Sequence, residues 1–266
     1  MNIIASTSRG RAVKPFFITE YHHISPYHFI SLPGGKFDSL TTMAVNFIHE
    51  STPTPKPVHV YFLAGLPDLT HKIRNSNEKY EEVIFEEKPE IATHRMISTI
   101  IKTHETILAK GARAIFCPII PINISKWNIT RHSQKKTCFL KHQEKYPIMQ
   151  KDLHQTITSI NQFIVTINKE NHLATPFIDR NLITSIPAKS PNLQSKYKFS
   201  YIQFRDGCHP SEKIAHSWAS ALISSIDKNQ PVIVYPHSPR TSYQEMSEDE
   251  ISPKRSWKWE KNPNTS

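Results

Sequence analysis

Glycine is scarce in this chain: six in 266 residues, beside 20 prolines. Neither GxxxxGK[ST] nor GxGxxG occurs, so no glycine-rich phosphate loop is present and a nucleotide cofactor is not expected. Cysteine is equally thin. Three cysteines, odd in number and scattered, exclude a disulfide scaffold and suit a reducing compartment. Clean CxxC or HxxxH spacings are missing, so no metal is expected. No apolar run approaches the ~18 residues of a transmembrane helix. Met1-Asn2-Ile3-Ile4 lacks the basic start and apolar stretch of a signal peptide, and an intracellular, cytoplasmic protein is expected.

What is there is basic and apolar in alternation. Lys and Arg number 33 against 23 Asp and Glu, a formal net charge of +10, with 15 His besides. The charge is uneven: Glu78–Glu90 is acidic, and Lys126–Lys145 is basic, with Trp127 and Phe139 interleaved. That basic stretch reads as an irregular insertion over about 123–147. It is either a solvated lid or a surface for nucleic-acid phosphates. Beyond about Tyr235 the composition turns to Pro, Ser, Glu and Lys, and residues 236–266 are expected to form a disordered tail. Trp257 and Trp259 lie in it. A single domain over 1–230 is expected.

Within that domain, short apolar runs alternate with helical periodicity, the pattern of an α/β protein. Strands are expected at Met1–Ala5, Phe29–Leu32, Val58–Ala64 and Arg113–Ile120, with a last short one at Pro176–Asp179. Helices are expected at Asp38–Glu50, Ile91–Ala109, Ile148–Asn168 and Ser211–Ile226, each with an apolar face. Ser51–Pro57 and Ile186–Tyr201 read as loops.

The glycines fall where such a fold puts its chemistry. Gly10, Gly34, Gly35 and Gly65 each follow a candidate strand, and Gly207 stands in Asp206-Gly207-Cys208-His209-Pro210, before the last helix. In an open parallel sheet, ligands bind beyond the C-terminal strand ends. Asp206 and His209, three apart, are able to form one unit in which the carboxylate orients an imidazole base. Such a pair calls for a nucleophile elsewhere. Cys208 adjoins His209, but adjacent side chains seldom point together.

Four blocks in order resemble those of the SGNH (GDSL-like) hydrolase family. They are Ile4-Ala5-Ser6-Thr7-Ser8-Arg9-Gly10, Leu32-Pro33-Gly34-Gly35, Gly65-Leu66-Pro67-Asp68, and Asp206 with His209 and Pro210. Cys117-Pro118-Ile119-Ile120-Pro121 matches a later Pro-containing loop. The resemblance covers about residues 1–226. It implies a three-layer, flavodoxin-like α/β fold with a parallel sheet of about five strands. It implies a serine hydrolase that cleaves a carboxylic (acyl or acetyl) ester, with no cofactor and a small-molecule, lipid or glycan ester as substrate.

Carried over residue by residue, the resemblance makes Asp206 and His209 triad members. The nucleophile depends on the register of the first block. Aligning on Arg9-Gly10 favours Ser6, aligning on Ala5 favours Thr7, and Ser8 is a weaker third choice. The implied oxyanion donors are Ser6, Gly35 and Gly65. The chain departs from the pattern at Ile4 and Ala5, where the family has Gly and Asp, and at Pro67, where it has Asn. Proline offers neither an amide side chain nor a backbone N–H. The alternative expectation is therefore a catalytically impaired SGNH-fold binding or scaffold protein. It would be nucleic-acid-associated through Lys126–Lys145 and of viral or mobile-element type.

Overall fold

Alternation along the apolar runs decides the architecture. In β1 (Asn2–Ser6), Ile3 and Ala5 face one way and Ile4 the other, and all three are fully buried. A computed structural model describes residues 1–19, 27–51, 57–74, 81–132, 140–186 and 196–230. The expected tail at 236–266, with Trp257 and Trp259, lies outside the described residues. So do most of the loop 51–57 and parts of the acidic and basic stretches.

The chain runs through α1 (Gly10–Thr19), β2 (Tyr27–Ser31), α2 (Phe37–Glu50), β3 (Val58–Leu63), the single turn α3 (Leu66–Leu69), β4 (His71–Arg74) and β5 (Glu81–Ile84). It continues through α4 (Pro89–Leu108), β6 (Ala112–Phe116), α5 (Ile124–His132), α6 (Tyr146–Glu170), β7 (Ile183–Ile186), β8 (Lys196–Phe199) and α7 (Glu212–Asn229). The central sheet is wholly parallel, in the order β2-β1-β3-β6. Ile3, Ala5, Val60, Phe62 and Phe116 pack against α2, α4 and α6 on one face. Ile4, Tyr61, Leu63 and Ile115 pack with α1 and α7 on the other, around Trp218. The result is three layers, and a sheet covered on both faces needs strands apolar on both sides.

Among the described residues the main sheet has four strands rather than about five. The expected strand at Pro176–Asp179 is an irregular segment. Pro176 has no N–H to offer a ladder, and Ile178 turns its N–H back to the Pro176 carbonyl at 2.8 Å. The edge left at β6 is closed by side chains of α6. The Asn168 amide bonds both the N–H (3.1 Å) and the carbonyl (2.8 Å) of Phe116, and Asn161 does the same for Ile119 at 2.7 and 3.0 Å. Two asparagines thus satisfy backbone groups that a fifth strand would otherwise pair.

Gly10–Thr19 is a helix, although Pro15 lies inside it. Two further expectations are corrected. Part of the presumed loop 186–201 belongs to the antiparallel pair β7–β8. The segment 123–147 is not irregular throughout, since it contains α5 and the start of α6. α5 has little amphipathic pattern and is held by a side chain instead. Asn128 bonds the N–H (2.9 Å) and the carbonyl (2.8 Å) of Val83 in β5.

Candidate active site

The strand order places a topological switch point between β1 and β3: β2 lies on one side of β1 and β3 on the other. The crevice beyond those strand ends is where a doubly wound sheet binds ligands. A cavity of about 560 Å³ opens there, with Ser8, His209, Gly34, Pro67 and Trp127 in its wall.

β1 ends later than the motif suggests. Leu32 N–H bonds the Ser6 carbonyl at 2.9 Å, and Thr7 N–H bonds the Leu63 carbonyl at 3.3 Å. The ladder on both sides therefore holds Ser6 inside the sheet. Its side chain is fully buried, and its hydroxyl donates to the Ile30 carbonyl at 3.3 Å. Gly10 sits against it. A Cβ at position 10 would lie 2.0 Å from Ser6 Oγ, so only glycine lets α1 start this close to the strand. The structure does not bring Ser6, the expected nucleophile, to His209. Thr7 is buried and its peptide still pairs with β3, although it borders the cavity. Ser8 is the first hydroxyl clear of the ladder, and Ser8 is the one that reaches His209.

The His209 ring is bonded at both nitrogens. Nε2 lies 3.3 Å from Ser8 Oγ, and Nδ1 lies 2.7 Å from Asp206 Oδ2. Asp206 Oδ1 accepts the N–H of Cys208 at 3.0 Å and that of His209 at 2.8 Å. Burial alone would raise the Asp206 carboxyl. The hydrogen bonds from the His209 ring and the two peptide N–H groups outweigh it and hold the group well below the usual carboxylate range. Asp206 is therefore a fixed anion behind the imidazole. Trp127 covers the imidazole from α5, ring centre to ring centre 5.4 Å, and Arg131 stacks on Trp127 at 4.3 Å.

Arg9 welds the two halves of this site together. Its buried guanidinium donates to the carbonyls of Cys208 (3.1 Å), Pro121 (3.1 Å) and Ile120. Residues about 200 positions apart in the chain, Ser8 and His209, are thus held by the residue next to one and the carbonyl next to the other. Cys208 itself is buried, with its sulfur 3.6 Å from Arg9 Nη2.

Two of the expected oxyanion donors, Ser6 and Gly35, have their peptides engaged in backbone bonds. The Ser6 peptide lies in the ladder. The Gly35 N–H bonds the Leu32 carbonyl at 2.9 Å. Gly65 has φ +103°, and a Cβ there would sit 2.5 Å from Ile119 Cδ1; it lets α3 begin against the core. The N–H groups of Ser8 and Gly34 have no acceptor among the described residues, and both residues border the cavity. Asp68, two residues after the cavity-lining Leu66, looks inward. Both its oxygens accept the Phe37 N–H at the start of α2, at 3.2 and 3.3 Å. Burial raises its pKa to about 6.

Among the described residues no group of three or more His, Cys, Asp or Glu stands close enough to share a metal ion. No helix among them is long and apolar enough to cross a membrane. Lys126, at the start of the basic stretch, donates its ammonium to the Phe204 carbonyl at 2.7 Å and so braces the loop before Asp206. Residues 133–139 of that stretch lie outside the described residues.

Comparison with solved structures gives the fold its place. A Bacteroides fragilis protein assigned as an acylhydrolase superposes with a TM-score of 0.53 over 85% of this chain and 86% of its own, at 14% identity. The chain has the SGNH hydrolase fold. A GDSL-like lipase from Bacteroides thetaiotaomicron has a TM-score of 0.49, 15% identity, and coverage of 85% of this chain and 87% of that one. No protein-family profile matches the sequence, and no curated protein matches it either. Within the block Ser6-Thr7-Ser8-Arg9-Gly10, Ser8 is the hydroxyl that stands opposite His209. What separates the three hydroxyls is positional: Ser8 stands past the last laddered residue of β1. Sequence alone does not mark that residue.

Proposed function

We propose that this chain is a serine hydrolase of carboxylic esters, with Ser8 as nucleophile, His209 as general base and Asp206 as the group that orients it. The observation that carries this reading is the continuous bond path from Asp206 Oδ2 through both nitrogens of His209 to Ser8 Oγ. His209 Nε2 takes the Ser8 proton as Ser8 Oγ attacks the ester carbonyl. The alcohol leaves with a proton returned from His209, and an acyl group remains on Ser8. Water, deprotonated by His209, then attacks the acyl carbonyl, and Ser8 departs with its proton restored. The 3.3 Å separation is long for a hydrogen bond but ordinary for a site without substrate.

The N–H groups of Ser8 and Gly34 are the donors in reach of the developing oxyanion. Pro67 borders the cavity and offers no third donor. The loss of one such donor costs about 10²–10³ in rate, so a slow enzyme is expected.

The test is labelling with a fluorophosphonate probe and mapping of the modified residue by mass spectrometry. Wild type and Ser6→Ala should label, at Ser8, while Ser8→Ala and His209→Ala should not. Labelling that survives Ser8→Ala would remove Ser8 from the mechanism. A folded wild type that never labels would favour the impaired binding protein that Pro67 suggests.

A further inference from the structure

The charged side chains that line the cavity around Ser8 among the described residues are all basic. Lys36 enters from the turn after β2, His71 and Lys72 from β4, and Arg131 from α5. Arg9 lies beneath. Among the described residues, no Asp or Glu lines this cavity.

The carboxylates nearby are engaged elsewhere. Asp206 is bonded to His209 and to two peptide N–H groups. Asp68 is buried and caps α2. Glu81 answers one cation, with an oxygen 3.3 Å from Lys72 Nζ. Lys36 and Arg131 have no ion-pair partner among the described residues. Arg131 is fixed by its stacking on Trp127, the same ring that flanks His209. One guanidinium therefore stands an aromatic ring away from the base.

A neutral ester brings no charge of its own to this arrangement in the ground state. Cations gathered in a concave site with low-dielectric walls focus their field on whatever enters, and they favour an anion. Resting on the hydrolase reading, we propose that the substrate is an anionic ester, carrying a carboxylate or phosphate close to the scissile bond, held by Lys36 and Arg131. The shape of the charge also suits the chemistry. Asp206 sits behind the imidazole, so its negative charge faces away from the substrate and does not oppose binding.

Three esters separate the alternatives: phenyl acetate, which is neutral; 4-acetoxyphenyl phosphate, charged on the alcohol side; and monophenyl succinate, charged on the acyl side. The readout is the ratio of kcat/KM for each anionic ester to that for phenyl acetate. At low salt, one anionic ester should exceed phenyl acetate by about tenfold or more, and the preferred one tells which side faces Lys36 and Arg131. Lys36→Met and Arg131→Met should each lower that ratio about fivefold, mainly through KM. Lys110→Met, at the opposite edge of the sheet, should leave the ratio as it is. Raising ionic strength from about 0.01 to 1 M shortens the screening length from about 30 to 3 Å and should erase most of the preference.

Hydrolysis of phenyl acetate with no preference for either anion overturns the anionic assignment and leaves the hydrolase standing. A preference that persists undiminished in the Lys36→Met, Arg131→Met double variant also overturns it. No hydrolysis of any of the three, together with an unlabelled Ser8, overturns both readings.

Discussion

Asp206→Asn changes one atom pair and should stop the reaction without disturbing the loop. The reason lies in how each carboxylate oxygen is used. Oδ1 accepts two peptide N–H groups, from Cys208 and His209, while Oδ2 faces His209 Nδ1. An asparagine must keep its oxygen toward the two N–H donors, because turning its NH₂ that way would set donor against donor. Its NH₂ then points at Nδ1, so Nδ1 becomes an acceptor and the ring proton moves to Nε2. That tautomer presents N–H to Ser8 and cannot take its proton.

The expected loss is about 10⁴ in kcat, or about 5.5 kcal/mol of transition-state stabilisation. Stability should fall by much less, about 1–2 kcal/mol, because the two peptide donors keep an acceptor and lose only its charge. Asp206→Ala strips both donors and should cost more stability than Asp206→Asn. The assay pairs ester turnover with chemical denaturation of each variant. If Asp206→Asn keeps more than about a tenth of wild-type kcat, the imidazole tautomer is not set by Asp206 and the triad argument fails.

Two other predictions address the frame around the site. Gly10→Ala drives a Cβ to within 2.3 Å of Ser6 Cβ as well as onto its hydroxyl, and should destabilise the fold by about 1–3 kcal/mol. Adding Ser6→Gly removes both clashing atoms and should recover at least half of that loss in thermal unfolding; losses that simply add would sink the packing argument. Asp68 concerns pH. Its folded pKa, about 6, lies above the unfolded value because it is buried, despite the Phe37 N–H and the charges of Lys36 and Arg95. The folded state therefore binds this proton more tightly. The contribution is fully present below about pH 4 and is lost as pH rises through about 6, a change of up to about 3 kcal/mol. Asp68→Asn keeps an oxygen for Phe37, so it should gain stability relative to wild type as pH rises from 4 to 7. Denaturation midpoints that stay parallel across that window would show that Asp68 carries no such load.

Much of this protein is legible residue by residue. Strand runs buried on both faces, such as Val58–Leu63, mark a covered parallel sheet by their continuous apolarity, and the apolar stripes of α4 and α6 follow from helical spacing. The Asp206–His209 pair is local, three residues within one loop, so its unity is visible in the sequence. α5 was not legible, because it has little amphipathic pattern and is tied down by Asn128 bonding β5 beside the buried Ile124 and Trp127. That the main sheet has four strands among the described residues was not legible either, since asparagines of a distant helix close the β6 edge.

The sequence by itself determined the α/β layering and the proximity of Asp206 to His209, because periodicity and short spacings are local quantities. Only the tertiary structure decided which of Ser6, Thr7 and Ser8 meets the imidazole. The last residue of β1 is fixed by its ladders with β2 and β3, which no stretch of β1 encodes alone. The cationic wall has the same origin. Lys36, Lys72 and Arg131 are far apart in the chain, and they come together because the turn after β2, strand β4 and helix α5 all border one cavity.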